Sequence, residues 1–451
     1  MGYARGQFSS KTGFILAASG SAVGLGNIWG FPTNAAENGG GAFVLTYFVL
    51  AFCLAYPALM AELIIGRHAK SNMVSALQKI SNNTATKVLG TLTGLYGVAI
   101  ATLILSFYCI IAGWMIAFFL EPLLTISGFT AISNWLTNFS ELRNLLFSAI
   151  FMLLTIAIIR AGVEQGIEKW SCLLMPVMLA LMVLLIIYVL FQDGALTGLT
   201  IYLVPDFQQI SNPKLISSAL GQAFFSLSLG VGTMLIYGSY LKPDANLPAM
   251  GAIVTLVDSS IAFLAGLLIL PAMFVAQKQG LAIYNEAGNL IAGPDLIFQT
   301  LPALFQGMGL IGLPISLIFF CLMTIAALTS SISMLEVPVS YTIENHSVNR
   351  HFATWLIGGI TFIFSTIIVL NFDILFDFIV TLTTEYSQPL LGLMLCIFAT
   401  WVWHRDNALA EIRNGHPLIE QSLFWKIWPG YVRYCCPALI LLMLLQTVRN
   451  S

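Results

Sequence analysis

"AASGSAVGLGNIWGFP", residues 17–32, lies inside a long apolar stretch near the start of the chain. A helix that only had to cross lipid would fill these positions with leucine. Here Gly20, Gly24 and Gly26 weaken the helix, and Asn27 and Pro32 punctuate it. Small residues also serve close helix packing, so the stretch has two readings when it stands alone. A second stretch decides between them. GQAFFSLSLGVGTMLIYGSY, residues 221–240, clusters Ser226, Ser228, Gly230 and Gly232 in the middle of another apolar segment. Backbone amides in lipid must find partners, so two loosened segments at membrane depth predict two broken helices beside a polar site.

Composition sets the class. The chain has 451 residues, 58% hydrophobic and only 8% charged. Soluble domains carry roughly 25% charge, so the sequence predicts an all-α polytopic membrane protein. A span takes about 20 mostly apolar residues. On that basis eleven helices are expected, over residues 12–36, 42–66, 88–121, 143–160, 168–192, 216–241, 247–276, 310–344, 352–371, 374–403 and 427–448. The loosened stretches then fall in the first helices of two five-helix sets, 12–192 and 216–403, with 427–448 as an extra helix of one transporter domain, 1–451. Interrupted helices at matching positions in two halves point to a binding site at the bilayer midplane. Half-helix ends there offer N–H groups to an anion and C=O groups to a cation.

The remaining features narrow the reading. Residues 122–142 read as a polar-aromatic loop, and 277–309 as a longer one ending in a short helical hairpin. Arginine and lysine concentrate on one side of the predicted topology, which places that side and the N-terminus in the cytoplasm of a cell whose inner (plasma) membrane holds the chain. MGYARGQFSSKTGF, residues 1–14, has no cleavage pattern, so no cleaved leader is expected. The net charge of -2 makes no case for nucleic acid. The seven cysteines form no CxxC pair and read as small buried hydrophobes. His68, His346, His351, His404 and His416 have no metal spacing, and the glycines at 39–41 follow no strand. With no nucleotide-binding motif, the energy for transport must come from an ion gradient. A membrane enzyme would need a paired acid and base, and Asp258 has no histidine or lysine near it in sequence.

SGSAVGLGNIWGFP followed by AAENGGGAF resembles the first-span signature of the neurotransmitter:sodium symporters, the LeuT group. Glu62 followed by Gly66-Arg67, the pair Phe107-Tyr108, FFSLSLGVG, YGSY at 237–240 and ALTSSISM at 327–334 recur in the family's order. The resemblance spans nearly the whole chain and implies the LeuT fold: a 5+5 inverted repeat with helices 1 and 6 broken. It also implies two Na+ sites. The first would use the Ala22 carbonyl, Asn27, Ser226 and Asp258, with the substrate carboxylate completing it. The second would use the carbonyls of Gly20, Val23 and Ala326 with the hydroxyls of Thr329 and Ser330. Such hydroxyls commonly bond back to their own i−4 carbonyl; set opposite a broken helix, both are expected to serve the ion. The family often has asparagine where Asp258 stands. A carboxylate in mid-span is either a protonated acid bonded to a neighbour or a functional charge. Chloride-dependent relatives bind an anion near the positions of Tyr47, Gln222, Ser226 and a span-seven serine that is Ala262 here, so Asp258 is expected to replace the anion.

The same resemblance outlines a substrate pocket. Monoamine carriers place an aspartate where this chain has Gly24, so the substrate here should bring its own carboxylate, as an α-amino acid does. The carboxylate would meet the amides near Leu25 and Gly26 and the Tyr108 hydroxyl; the ammonium would meet carbonyls at Phe225 and Ser228; Ala22, Gly24 and Ser226 would also border the substrate. The side chain would face Ile104, Phe225, Val231, Ser330 and Met334, which favours a hydrophobic or aromatic amino acid. Arg5 with Glu344, near Phe8 and Tyr240, resembles the inner gate. The outer gate departs from the pattern: Gly30 stands where arginine is common, so Asp377 lacks its basic partner and closure falls to Tyr108 and Phe225. Glu37 and Glu62 are expected to bind broken-helix amides. The function implied is Na+-coupled symport of an amino acid, not an enzyme. A symporter of another small carboxylate solute and a transporter-like sensor stand as the alternatives.

Overall fold

The computed structural model describes residues 6–286, 288 and 290–450. They are all-helical apart from two isolated bridges, Gly40 with Pro205 and Tyr284 with Leu290. Eight helices are long and apolar enough to cross a membrane. They are Gly41–Ala69, Thr84–Ile126, Glu141–Ile159, Val163–Leu190, Leu247–Lys278, Gly309–His346, Arg350–Leu370 and Leu423–Arg449. Two more spans bend at breaks: Lys11–Ala22 with Gly26–Glu37 meet at 60°, and Phe372–Val402 meets Arg405–Arg413 at 98°. The remaining span is Pro213–Ser226 plus Thr233–Ser239, separated by residues 227–232 and too short in either half to cross alone. The order matches the eleven expected helices, with first and sixth broken.

The two breaks have different physical causes. In the first span no residue takes a positive φ among the described residues. Its glycines are there for space. A Cβ on Gly24 would lie 2.9 Å from Ser330 Oγ and 3.1 Å from the Tyr108 hydroxyl, and one on Gly26 would lie 2.5 Å from the Phe225 ring. In the sixth span the backbone itself turns left-handed, with φ of 51° at Ser228, 82° at Gly230 and 84° at Gly232. Glycine adopts that region freely; Ser228 does so while its hydroxyl donates to the Ser21 carbonyl at 3.2 Å. That bond ties one broken helix to the other.

Between apolar helices in lipid, association rests on close packing and polar satisfaction rather than on the hydrophobic effect. Gly66 and Gly238 let the second span cross the second half of the sixth: a Cβ on Gly66 would lie 1.9 Å from the Leu235 carbonyl, and one on Gly238 2.7 Å from that of Leu63. Arg67, fully buried, anchors the same corner. Its Nη1 donates to the Ala245 carbonyl at 2.5 Å, its Nε to Glu411 Oε1 at 2.6 Å, and its Nη2 to the Glu411 carbonyl. The third and eighth spans pack along one another and carry the side chains that face the breaks.

Several expectations are corrected. The loop after the seventh span is not a helical hairpin; a bridged turn at Tyr284 and Leu290 leads into a single helical segment, Gly293 to Gly307, with a wide turn over Leu296–Thr300. The polar-aromatic loop is shorter than expected, because the third span runs on to Ile126 and Thr130–Leu136 is helical. Met73–Lys79 and Ala195–Leu203 are short helices outside the expected set, and Arg405–Arg413 continues the tenth span past its 98° bend. Cys53 and Cys435 are exposed on the outer faces of helices rather than buried, and all seven cysteines are free.

Candidate functional site

The last carbonyls and first amides of any helix lack partners within it. At the first break these groups meet the third, sixth, seventh and eighth spans. Asn27 Nδ2 donates to Asp258 Oδ1 and to Ser226 Oγ, both at 2.8 Å. Ser226 Oγ donates to Asp258 Oδ2 at 2.7 Å, and the Tyr47 hydroxyl reaches Ser226 Oγ at 3.1 Å and Asp258 Oδ2 at 3.5 Å. Asn27 Oδ1 faces the other way and accepts from the Gly24 amide at 3.2 Å. Asp258 is buried and thus carries three side-chain donors from three other helices. Of the residues expected around an anion, Gln222 is committed elsewhere: its Nε2 donates to the Gly26 carbonyl at 3.0 Å and its Oε1 accepts from Asn34. Ala262 is fully buried and brings no polar atom.

On the opposite side of the break, Ser330 Oγ donates to the Val23 carbonyl at 2.9 Å and faces the Gly20 carbonyl at 3.4 Å. One hydroxyl of the eighth span therefore gathers two free carbonyls of the first. Thr329 does not join them directly. Its hydroxyl bonds back to Ala326 and Ile325 carbonyls at 3.0 and 3.2 Å, although its Cβ would lie 3.2 Å from a Cβ on Gly20. Ser21 Oγ meets Ser333 Oγ at 2.6 Å one turn further on.

Between these polar clusters lies a cavity of about 280 Å³. Ala22, Gly24, Leu25, Gly26, Asn27, Ile104, Tyr108, Phe225, Ser228, Val231, Ser330 and Met334 line it. Of the expected substrate contacts, Ser226 alone is absent from that wall. The Tyr108 hydroxyl is buried beside Ser330 and the Leu25 backbone without completing a hydrogen bond. Phe107, Ile111, Pro294, Phe376, Asp377, Val380, Thr384 and Gln388 carry the cavity toward the face of the loop 277–309. On that side Phe225 is 39% exposed, so it flanks the cavity rather than sealing it. Asp377 is exposed and has no ion pair among the described residues.

The opposite face is closed. Phe8 packs edge-on against Phe14, Tyr237 and Tyr240, and its amide donates to the Tyr240 carbonyl at 3.1 Å. Arg5 lies outside the described residues; Glu344 accepts from the Asn72 amide and Nδ2 at 2.8 and 2.9 Å. Tyr240 donates to Glu336 Oε1 at 2.5 Å, and Arg350 pairs with Glu336. Glu168 is the residue sequence reasoning missed. It accepts from the amides and hydroxyls of both Ser9 and Ser10 and so caps the first helix from the fifth span. The serine pair before Lys11 is a legible helix cap; nothing in sequence couples it to an acid 159 residues on. Glu62 binds the Gly230 and Leu235 amides at 2.7 and 3.3 Å, inside the second break. Glu37 is exposed and makes no hydrogen bond among the described residues, against expectation.

The family model described as the sodium:neurotransmitter symporter family matches residues 5–138 and 125–451. The uncharacterized sodium-dependent transporter YhdH of Bacillus subtilis is 34% identical over 98% of this chain and 97% of its own length. An uncharacterized sodium-dependent transporter of Haemophilus influenzae is 30% identical over 98% of both chains. The crystal structure of MhsT in complex with L-phenylalanine superposes with a TM-score of 0.83 at 34% identity, covering 98% of this chain and 100% of that one. The two broken spans, the cavity between them and these likenesses lead to one conclusion: the chain belongs to the sodium:neurotransmitter symporter family, a sodium-dependent multi-pass membrane transporter with the LeuT fold and not an enzyme.

Proposed function

We propose that this chain takes up a hydrophobic or aromatic amino acid together with Na+ across the plasma membrane, by alternating access and without chloride. The observation that carries the reading is the cavity at the two breaks: apolar on Ile104, Val231 and Met334, and edged by half-helix amides and carbonyls. MhsT, similar over its full length, is a protein crystallised with L-phenylalanine. Residues 12–192 and 216–403 act as the two repeats that move against each other, and the N-terminus is cytoplasmic.

The substrate carboxylate sits at the Leu25 and Gly26 amides and takes the Tyr108 hydroxyl as a donor. Its ammonium meets the carbonyls around Phe225 and Ser228. The first Na+ lies between Ala22, Asn27, Ser226 and Asp258, once the Asn27 amide turns its oxygen toward the ion. The second lies between Gly20, Val23, Ala326, Thr329 and Ser330, where it displaces the hydroxyl bonds now holding those carbonyls. Na+ is a co-substrate here: each ion stabilises the state it binds. Asp258 supplies in fixed form the negative charge that an anion provides in chloride-dependent relatives. Arg5, Glu344, Tyr240 and Asp377 are the gate residues, with Gly30 leaving the outer side without its arginine.

The test is uptake into reconstituted vesicles under an imposed Na+ gradient, with a panel of labelled amino acids that includes taurine. Gradient-driven uptake of large apolar amino acids, unchanged when gluconate replaces chloride, supports the proposal. Uptake of taurine alone, uptake that vanishes without chloride, or no Na+ dependence defeats it.

A further inference from the structure

Ten residues into the span Leu423–Arg449, roughly 15 Å along its axis by helical rise, stands Arg433. It lies in a wide turn, Tyr431–Cys435, against which the end of the tenth span packs through a wide turn of its own, Phe398–Val402. The Arg433 guanidinium sits over the Trp401 ring at 4.3 Å and the Tyr434 ring at 5.6 Å. The two rings meet edge-on at 5.6 Å, and Trp401 Nε1 donates to the Arg433 carbonyl at 3.0 Å. Trp401 and Tyr434 are 54% and 59% exposed, and Cys435 is exposed beside them. This flank of the two spans therefore faces lipid.

The charge there is unanswered. Arg433 forms no ion pair among the described residues, and its Nε is buried without a hydrogen-bond partner. Stacking on two rings orients the guanidinium but offers its N–H groups no acceptor oxygen. A bare cation on the lipid face of a span is costly, so such side chains reach for the interface. Trp401 marks that interface. It lies four residues before Arg405, where the tenth span turns by 98°, and Arg405 lies over Trp425 at 5.4 Å near the start of the eleventh span. Phe376 and Asp377, toward the other end of the tenth span, border the open side of the central cavity, so this end lies on the closed side. Phosphodiesters are the anions resident at that depth, and the arginine fork matches two of their oxygens.

We propose that Arg433, framed by Trp401 and Tyr434, binds the phosphate of an anionic phospholipid in the leaflet on the closed side. The headgroup supplies the acceptors that the guanidinium lacks, and an acyl chain runs along the exposed flank past Cys435. The lipid bridges the tenth and eleventh spans at their paired wide turns. A zwitterionic lipid, whose own ammonium competes for the phosphate, binds there less well. The site shares no residue with the central cavity.

The experiment places the full-length protein in phosphatidylcholine nanodiscs that carry a minor share of brominated phosphatidylglycerol or of brominated phosphatidylcholine. Bromine quenches tryptophan fluorescence on contact, and the Trp401→Phe protein supplies the background of the other tryptophans. Quenching of Trp401 is expected to show about a ten-fold preference for phosphatidylglycerol, the worth of one charge-assisted contact. The preference should vanish in Arg433→Gln and be intermediate in Arg433→Lys, which keeps the charge without the fork. Unlabelled phosphatidylglycerol should relieve the quenching, and inorganic phosphate should not. Equal quenching by the two lipids in the unaltered protein overturns the proposal, and that measurement needs no variant to fold. So does a preference that survives in Arg433→Gln, or one that inorganic phosphate abolishes. Quenching of Trp401 by neither lipid also overturns it, and marks a face covered by a second copy of the chain. None of these readouts depends on which solute is transported.

Discussion

Glu168 gives the sharpest test of how the closed face is held. Its Oε2 accepts from the Ser9 amide at 2.6 Å, and its Oε1 accepts from Ser9 Oγ, Ser10 N and Ser10 Oγ at 2.7, 3.1 and 2.9 Å. Glu168→Gln keeps one acceptor oxygen. With that oxygen at the three-donor corner, the new NH2 group faces the Ser9 amide, donor against donor. One charge-assisted bond is lost and three fall to neutral strength, a loss of about 2–3 kcal/mol. At 1.4 kcal/mol per factor of ten, opening of the segment rises about 30- to 150-fold. Hydrogen–deuterium exchange of the Ser9 and Ser10 amides in Na+ buffer reads that ratio directly when reclosing outpaces exchange. Gly13→Ala should open the same contact from the other side, because its Cβ would lie 1.9 Å from Glu168 Oε1. Wild-type protection of both amides in the two variants would refute the reasoning.

Other perturbations separate the two proposed ion sites and the pocket. Ser330→Ala removes the hydroxyl that gathers the Val23 and Gly20 carbonyls, and a rise of about ten-fold in half-saturating Na+ is expected in binding assays, one lost ligand of about 1.4 kcal/mol. Asp258→Asn leaves Asn27, Ser226 and Tyr47 one neutral acceptor oxygen in place of two charged ones, and should raise half-saturating Na+ while making uptake respond to chloride; an unchanged chloride response counts against the fixed-charge role. Gly24→Asp drives a carboxylate against Ser330 Oγ, 2.9 Å from the Cβ alone, and should abolish amino-acid binding while the protein still inserts and purifies.

The legible part of this fold lay in composition and in glycine placement. Both breaks follow from residues 17–32 and 221–240, because small and polar residues clustered at matching positions in two halves point to a binding site. The same glycines were legible for one reason and work for another. Gly24 and Gly26 have ordinary φ and are small so that Tyr108, Ser330 and Phe225 can approach, which no local propensity records. Thr329 and Ser330 are neighbours in sequence, yet one hydroxyl turns back to its own helix and the other crosses to the first span. That difference is set by which face each presents. Glu168 with Ser9 and Ser10, and Glu336 with Tyr240, were hidden because each joins segments far apart in the chain.

The pocket's selectivity can be argued to a result. Val231 is buried, lines the cavity with Ile104 and Met334, and follows Gly230, whose backbone is fixed by the Glu62 bond at 2.7 Å. The side chain at 231 therefore has little freedom to retreat. Val231→Phe adds a ring of roughly 50 Å³ beyond valine to the wall of a cavity of about 280 Å³. In the proposed pose a large substrate must then lose contact or strain its carboxylate off the Leu25 and Gly26 amides, and either costs about 1–3 kcal/mol. A small one gains apolar contact. Uptake should turn from phenylalanine-sized toward alanine- or leucine-sized amino acids, with the ratio of kcat/KM values moving by about 10- to 100-fold. Na+ half-saturation should hold, since no oxygen of either proposed ion site contacts that ring. A variant that loses all substrates alike would show that Val231 supports the break itself and not the choice of amino acid.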